Sequence, residues 1–65
     1  MPTEKEKYLI RCFKAYGIGK DETVGTMHAL REEKLQDTMI AWIKNHITAS
    51  PDEVLESAWQ IAGLI

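Results

Sequence analysis

The side chains that could support catalysis or metal binding are a single cysteine, Cys12, and two histidines, His28 and His46. A reactive thiol needs a histidine or a helix N-terminus nearby to lower its pKa, and the sequence around Cys12 supplies neither. Cys12 is therefore predicted to be a buried structural residue, as free cysteines commonly are. A minimal enzyme or metal site would need the fold to bring Cys12 next to His46, and so few ligands make zinc a weak alternative. We expect no catalytic residue, no metal and no cofactor.

The carboxylates have a structural explanation as well. They include three adjacent pairs, Asp21–Glu22, Glu32–Glu33 and Asp52–Glu53. Each pair falls in the first turn of a predicted helix, where the helix dipole favours negative charge. His28 is expected to be solvated, and His46 to be partly buried or to cap the end of a helix.

The cations suggest a binding surface. Lys7, Arg11 and Lys14 share one side of a predicted helix, which predicts either a solvated face or a surface for an acidic partner. A helix-turn-helix-like DNA binder using this basic N-terminal half is the alternative. However, Asp21 and Glu22 would repel phosphates at the start of the second helix, and the net charge is −2. The charge pattern therefore disfavours nucleic acid as a partner.

Charge is also unevenly distributed along the chain. Residues 1–20 carry five cations and two carboxylates, a net +3, whereas residues 21–65 carry three cations and eight carboxylates, a net −5. Such asymmetry is typical of proteins with a charged interaction face.

Helix signals position these residues. Thr3 and Glu6 form the pattern of a capping box, and Gly17 is suited to end the first helix, with Ile18 packing back on Phe13. Gly19 is predicted to be the N-cap of the second helix. A change in the apolar arc predicts a break near residues 31–32. The segment Ser50–Glu53 combines an N-cap, a proline at the first helical position and a capping glutamate.

The predicted fold is all-α, a compact bundle of four short helices at about 4–16, 20–30, 32–45 and 51–62, forming one domain over residues 1–65. Val24 is assigned to the inner face of helix 2 and Ile47 to that of helix 3, while Ile10 is expected to be half exposed. Trp59→Ala should cost about 3–5 kcal/mol if Trp59 is core. The predicted core residues are Leu9, Phe13, Met27, Leu30, Met39, Trp42, Ile43, Val54, Leu55, Trp59 and Ile61.

Size and composition limit the function further. A chain of 65 residues and 7.4 kDa builds one thin core and no deep pocket of the kind that small-molecule enzymes use. One cysteine fits a reducing compartment, so we expect a soluble cytoplasmic protein, with no signal segment and no membrane association. The longest apolar run, Met39–Ile43, is far too short to span a membrane. The chain is expected to be a monomer or a weak homodimer.

Two resemblances add to this. The segment Phe13–Ile18, followed by Val24, Met27 and Leu30 and then by Met39–Ile43, resembles the pattern of ubiquitin-associated and related three-helix domains. It covers about residues 9–46 and implies a partner-binding patch made by Tyr16, Gly17 and Ile18 with the end of helix 3. The chain departs from that pattern at residues 31–34 and adds a fourth helix.

A broader resemblance covers nearly the whole chain. Residues 17–30, which read Gly-Ile-x-x-Asp-Glu-Thr-Val-x-x-Met-x-x-Leu, together with Ser50–Leu55, look like short helical proteins of Gram-positive bacteria that carry no assigned activity. This resemblance implies a bacterial origin and no mechanism.

The sequence thus favours a non-enzymatic module that binds another protein. Its candidate surfaces are the corner Tyr16–Ile18, the basic side chains of Lys7, Arg11 and Lys14, and the apolar end Leu64–Ile65.

Overall fold

The computed structural model describes residues 3–65, which form four α-helices. The helices are α1 (Glu4–Ala15), α2 (Lys20–Ala29), α3 (Glu33–Asn45) and α4 (Pro51–Ile61). The all-α class and the four-helix bundle are confirmed, with each helix boundary within one residue of its predicted position.

The corner between α1 and α2 is built by Gly17. Gly17 has φ +85°, a left-handed conformation that other residues adopt only at a cost, and it follows the last turn of α1. Its N–H donates to the Lys14 carbonyl at 3.0 Å, and the Ile18 N–H donates to the Phe13 carbonyl at 3.0 Å. This pair of bonds is a Schellman motif, and it turns Ile18 back into the core, where only 8% of its surface is exposed.

Capping boxes begin α1 and α4. The Thr3 hydroxyl accepts from the Glu6 N–H at 3.2 Å, and the Glu6 carboxylate accepts from the Thr3 N–H at 2.9 Å. Ser50 and Glu53 repeat the arrangement at 3.2 and 3.1 Å. The bond from the Ser50 N–H lowers the pKa of Glu53, because it favours the charged carboxylate.

A buried glutamine organises the connection between α2 and α3. α2 ends at Ala29 and α3 begins at Glu33, which agrees with the break predicted near residues 31–32. The carbonyls at the end of α2 are left without helical partners. The Gln36 side chain reaches back from α3, and its amide Nε2 donates to the Leu30 carbonyl at 2.8 Å and to the Arg31 carbonyl at 3.4 Å. Gln36 is 3% exposed, so this bond supplies in the interior what water supplies at other helix ends.

The helices form a ring around the core. α1 packs against α2 and α3, and α4 packs against the same two helices, so that α1 and α4 occupy opposite positions. Lys5 links α1 to α3 at the surface through Asp37 at 2.7 Å and Glu33 at 2.8 Å. These carboxylates raise the pKa of Lys5, Asp37 having the larger effect.

The core agrees with most of the predicted set. Three residues of the predicted set are only partly buried and pack against the core: Met27, Trp42 and Ile61. The assignment of Trp59 to the core is wrong, because α4 turns this side chain outward and leaves it 42% exposed. The expected loss of 3–5 kcal/mol for Trp59→Ala depended on full burial and therefore does not hold. The buried apolar residues are Leu9, Phe13, Ile18, Leu30, Met39, Ile43, Val54, Leu55 and Ala58.

Two further apolar assignments are wrong. Val24 is 62% exposed, because α2 directs Thr23 and Thr26 inward together with Leu30. Ile47 is 76% exposed, since α3 ends at Asn45 and Ile47 lies in the loop that follows.

Removing the internal cap should destabilise the fold. Gln36→Met keeps the shape and apolar stem of the side chain but leaves the Leu30 carbonyl without its buried donor. We expect the free energy of unfolding to fall by about 1–3 kcal/mol in urea titrations followed by circular dichroism. The control is Thr38→Ala, which removes an exposed bond to the Lys34 carbonyl at 3.1 Å and should change stability by less than about 0.5 kcal/mol. Equal stability of Gln36→Met and the wild type would refute this role.

The two glycines Gly17 and Gly25 should respond in opposite directions to the same change. A Cβ added at either position meets no atom within 4 Å, so the backbone alone decides the effect. Gly17→Ala should lose about 1–2 kcal/mol because its φ is positive. Gly25→Ala, inside α2, should gain up to about 1 kcal/mol through helix propensity. Thermal unfolding of both variants tests this, and a shift in the same direction for the two would contradict it.

Candidate functional site

A groove lies between α1 and α2 on the described surface. It has a volume of about 610 Å³ and is open to solvent along one side. α1 contributes Ile10 and Lys14, and the corner contributes Ile18. The residues lining it from α2 are Lys20, Thr23, Val24 and Met27.

The groove is apolar because two large side chains point away from the core. Ile10 lies outside the apolar arc of α1 and is 40% exposed, as predicted from the sequence. Val24 stands opposite on α2, and the nearly buried Ile18 forms the floor with the partly buried Met27. The Schellman corner fixes this floor, so the apolar surface is largely preformed.

Two lysines line the groove together with its apolar residues. Lys14 and Lys20 are both exposed and are the charged residues that line the groove. Within residues 3–65, Lys5 is the cation that forms salt bridges, so the ammonium groups of Lys14 and Lys20 have no carboxylate partner in this part of the chain. The Thr23 hydroxyl is already used, since it donates to the Gly19 carbonyl at 2.9 Å. The site therefore offers apolar contact and two free cations.

The structure separates the predicted basic side chains. Lys7 and Arg11 are exposed on α1 but do not line the groove, whereas Lys14 does. Of this predicted set, Lys14 is the member that the fold combines with apolar surface.

The predicted patch at the corner is also divided. The Tyr16 hydroxyl donates to the His46 carbonyl at 3.0 Å, at the far end of α3. Ile18 is 8% exposed and lines the groove instead, whereas Tyr16 does not line it. Burial raises the pKa of Tyr16, and the negative charge of Cys12 in its ionised form adds to the increase.

His46 is a helix cap. Its ring stacks on Trp42, with centroids 4.2 Å apart and planes inclined by 8°. Its Nδ1 lies 2.8 Å from the Trp42 carbonyl, which binds the ring to the last turn of α3. His28 is exposed on α2, as expected.

Cys12 is partly buried and packs against the core, so it is less buried than predicted. Its neighbours are Tyr8 and Tyr16, one helical turn away on either side; the charge of its thiolate is the main cause of the raised pKa of Tyr8. No hydrogen bond joins Cys12 to His46 within residues 3–65. Nor does that range contain a group of three histidine, cysteine or acidic side chains placed to hold a metal ion.

A second apolar surface lies at the end of α4. Gly63 has φ +80° and repeats the Schellman bonds, the Leu64 N–H donating to the Trp59 carbonyl at 2.9 Å. Leu64 and Ile65 remain 64% and 69% exposed. The predicted apolar end is thus accessible, but it lies away from the groove.

Comparison of the chain with protein-family models, with curated proteins and with solved structures finds no match. No helix in residues 3–65 has the length and apolarity to cross a membrane.

The groove is not evident from the sequence. The apolar pattern places Ile10 outside the core arc, as observed, but places Val24 inside. Two such residues on helices joined by a tight corner form a usable signal, because a four-residue corner forces the helices to pack side by side. The missing information was which face α2 turns inward.

If the exposed wall of the groove does not contribute to folding, substitutions in the wall should leave the stability of the protein unchanged. Substitutions in the buried floor should lower it. Val24→Ser should alter the free energy of unfolding by less than about 0.5 kcal/mol, because Val24 is exposed. Ile18→Ala should lose about 2–5 kcal/mol. Urea unfolding compares the two, and a similar loss for both would mean that Val24 belongs to the core.

Proposed function

We propose that this protein is a non-enzymatic module that binds another protein through the α1–α2 groove. The observation that carries the proposal is the exposure of two large aliphatic side chains, Ile10 and Val24, on facing walls of one preformed groove. Concave apolar surfaces with a few polar groups are the usual form of binding sites. The single cysteine fits a reducing compartment, so the proposed setting is the cytoplasm.

One observation supports a second candidate surface. The bond from Tyr16 to the His46 carbonyl and the stack of His46 on Trp42 join the corner to the end of α3. This is the region that the resemblance to ubiquitin-associated domains implies for binding. The resemblance itself, like that to Gram-positive helical proteins, stays a prediction.

Nucleic-acid binding remains the alternative from a different class. The apolar lining argues for protein, because binding to phosphates depends on many cations rather than on aliphatic contact. A gel-shift titration at low salt decides it: retardation at micromolar protein that depends on Lys7, Arg11 and Lys14 would favour nucleic acid.

The protein-binding proposal predicts that capture of a partner depends on the groove. The chain is immobilised and incubated with lysate of its source cells, and the bound proteins are identified by mass spectrometry. The double variant Ile10→Ser/Val24→Ser should lose at least one protein that the wild type retains, by about tenfold or more, since exposed hot-spot contacts each contribute about 1 kcal/mol or more.

Two single variants serve as controls with the same chemical change elsewhere. Ile47→Ser lies near the end of α3 and Leu64→Ser near the end of α4, and both residues are more exposed than Ile10. The proposal is supported if both control variants retain the captured protein and the groove variant loses it. Loss in Ile47→Ser alone would move the site to the end of α3. Identical sets of bound proteins for all variants would refute the groove as the binding site.

A further inference from the structure

The charges around the groove indicate the chemistry of its occupant. Both charged residues that line it, Lys14 and Lys20, are cations without carboxylate partners among residues 3–65. The acidic Asp21 and Glu22 follow Lys20 along α2 but do not line the groove. Glu6, one turn before Ile10 on α1, is held by the Thr3 N–H in the capping box. The groove therefore presents a positive edge to an incoming partner.

The rest of the molecule strengthens this polarity. Residues 21–65 carry a net −5, so a basic partner would be attracted to the acidic remainder and repelled at the groove. An acidic partner would be steered toward residues 1–20, where the net charge is +3.

The walls indicate the partner's shape. The groove runs between two helices and is lined by aliphatic side chains, with no aromatic residue among those that line it. Grooves of this kind accept the apolar face of an amphipathic helix, whereas proline-rich segments bind aromatic-lined grooves and extended peptides add to sheet edges. The recessed positions of Ile18 and Met27 favour an inserted side chain over a flat lipid surface.

We infer that the occupant of the α1–α2 groove is an amphipathic helix of another protein, with carboxylates flanking its apolar stripe. This inference rests on the proposed function and specifies its partner. Apolar residues spaced at i, i+3, i+4 and i+7 would enter between Ile10 and Val24. Carboxylates beside that stripe would then meet Lys14 on one wall and Lys20 on the other.

A display library tests the inference without knowledge of the natural partner. Helical peptides carry that apolar spacing, with the apolar positions varied among leucine, isoleucine, methionine, valine and phenylalanine. The flanking positions are varied among glutamate, glutamine and lysine. Selection on the wild type should enrich glutamate over lysine at the flanking positions, and Val24→Ser should lose the selected peptides.

Charge reversal then assigns the effect to the two lysines. Lys14→Glu/Lys20→Glu should weaken binding of the selected peptides about tenfold, as measured by fluorescence polarisation. Each exposed charge pair has a small effect, but the double variant loses two attractions and adds two repulsions. Lys34→Glu/Lys44→Glu makes the same change in net charge on α3 and should weaken binding by less than about threefold, since those lysines do not line the groove.

The outcomes separate this inference from the proposed function. Peptides that bind through Val24 without an excess of glutamate would overturn the acidic helix and leave the groove a protein-binding site. Equal weakening by both charge reversals would also overturn it, because the preference would then reflect net charge alone. Absence of any groove-dependent peptide, with lysate capture insensitive to Ile10→Ser/Val24→Ser, would overturn both. Binding of anionic phospholipid vesicles that Val24→Ser abolishes, without peptide binding, would replace the helix with a membrane surface.

Discussion

The left-handed conformation of Gly17 is the constraint on which the arrangement of the first two helices depends. It closes the Schellman bonds at the end of α1 and turns Ile18 under both helices, where it joins Phe13 in the core. α4 ends with the same bonds at Gly63, yet the corresponding apolar residue, Leu64, is 64% exposed. The local motif therefore ends a helix in both places. It fixes a tertiary position only at the corner, where a second helix follows after three residues.

α2 is the unusual helix of the bundle. Its inner face contains Thr23 and Thr26, whereas its most apolar exposed residue, Val24, faces solvent beside the groove. A helix that used its best apolar residues for folding would bury Val24 and expose the threonines. The observed orientation gives up apolar burial in the core and leaves Val24 on the wall of the groove.

Helix boundaries could be predicted because capping is local. Thr3 with Glu6, Gly17, and Ser50 with Glu53 satisfy backbone groups within four residues, so their types alone identify the ends. The faces of the helices depend on contacts far apart in sequence, and there the predictions for Val24 and Trp59 failed. The groove was the feature least accessible to prediction, since it combines side chains from two helices and a corner. Ile10 and Lys14 could be recognised singly, but their pairing with Val24 required the rotation of α2.

That rotation is set at the two ends of α2 rather than by its own apolar pattern. The face suggested by Val24, Met27 and Leu30 differs from the buried face by roughly 65° at 100° per residue. At one end the buried Ile18 holds the chain entering α2. At the other, Leu30 is fully buried and its carbonyl accepts from the Gln36 amide. Rotating α2 to bury Val24 would pull on both ends and separate that carbonyl from its buried donor. The cost of an unpaired interior carbonyl, about 1–3 kcal/mol, is comparable to what burying one valine returns. Gln36, which lies outside the groove, therefore helps to keep Val24 on its wall.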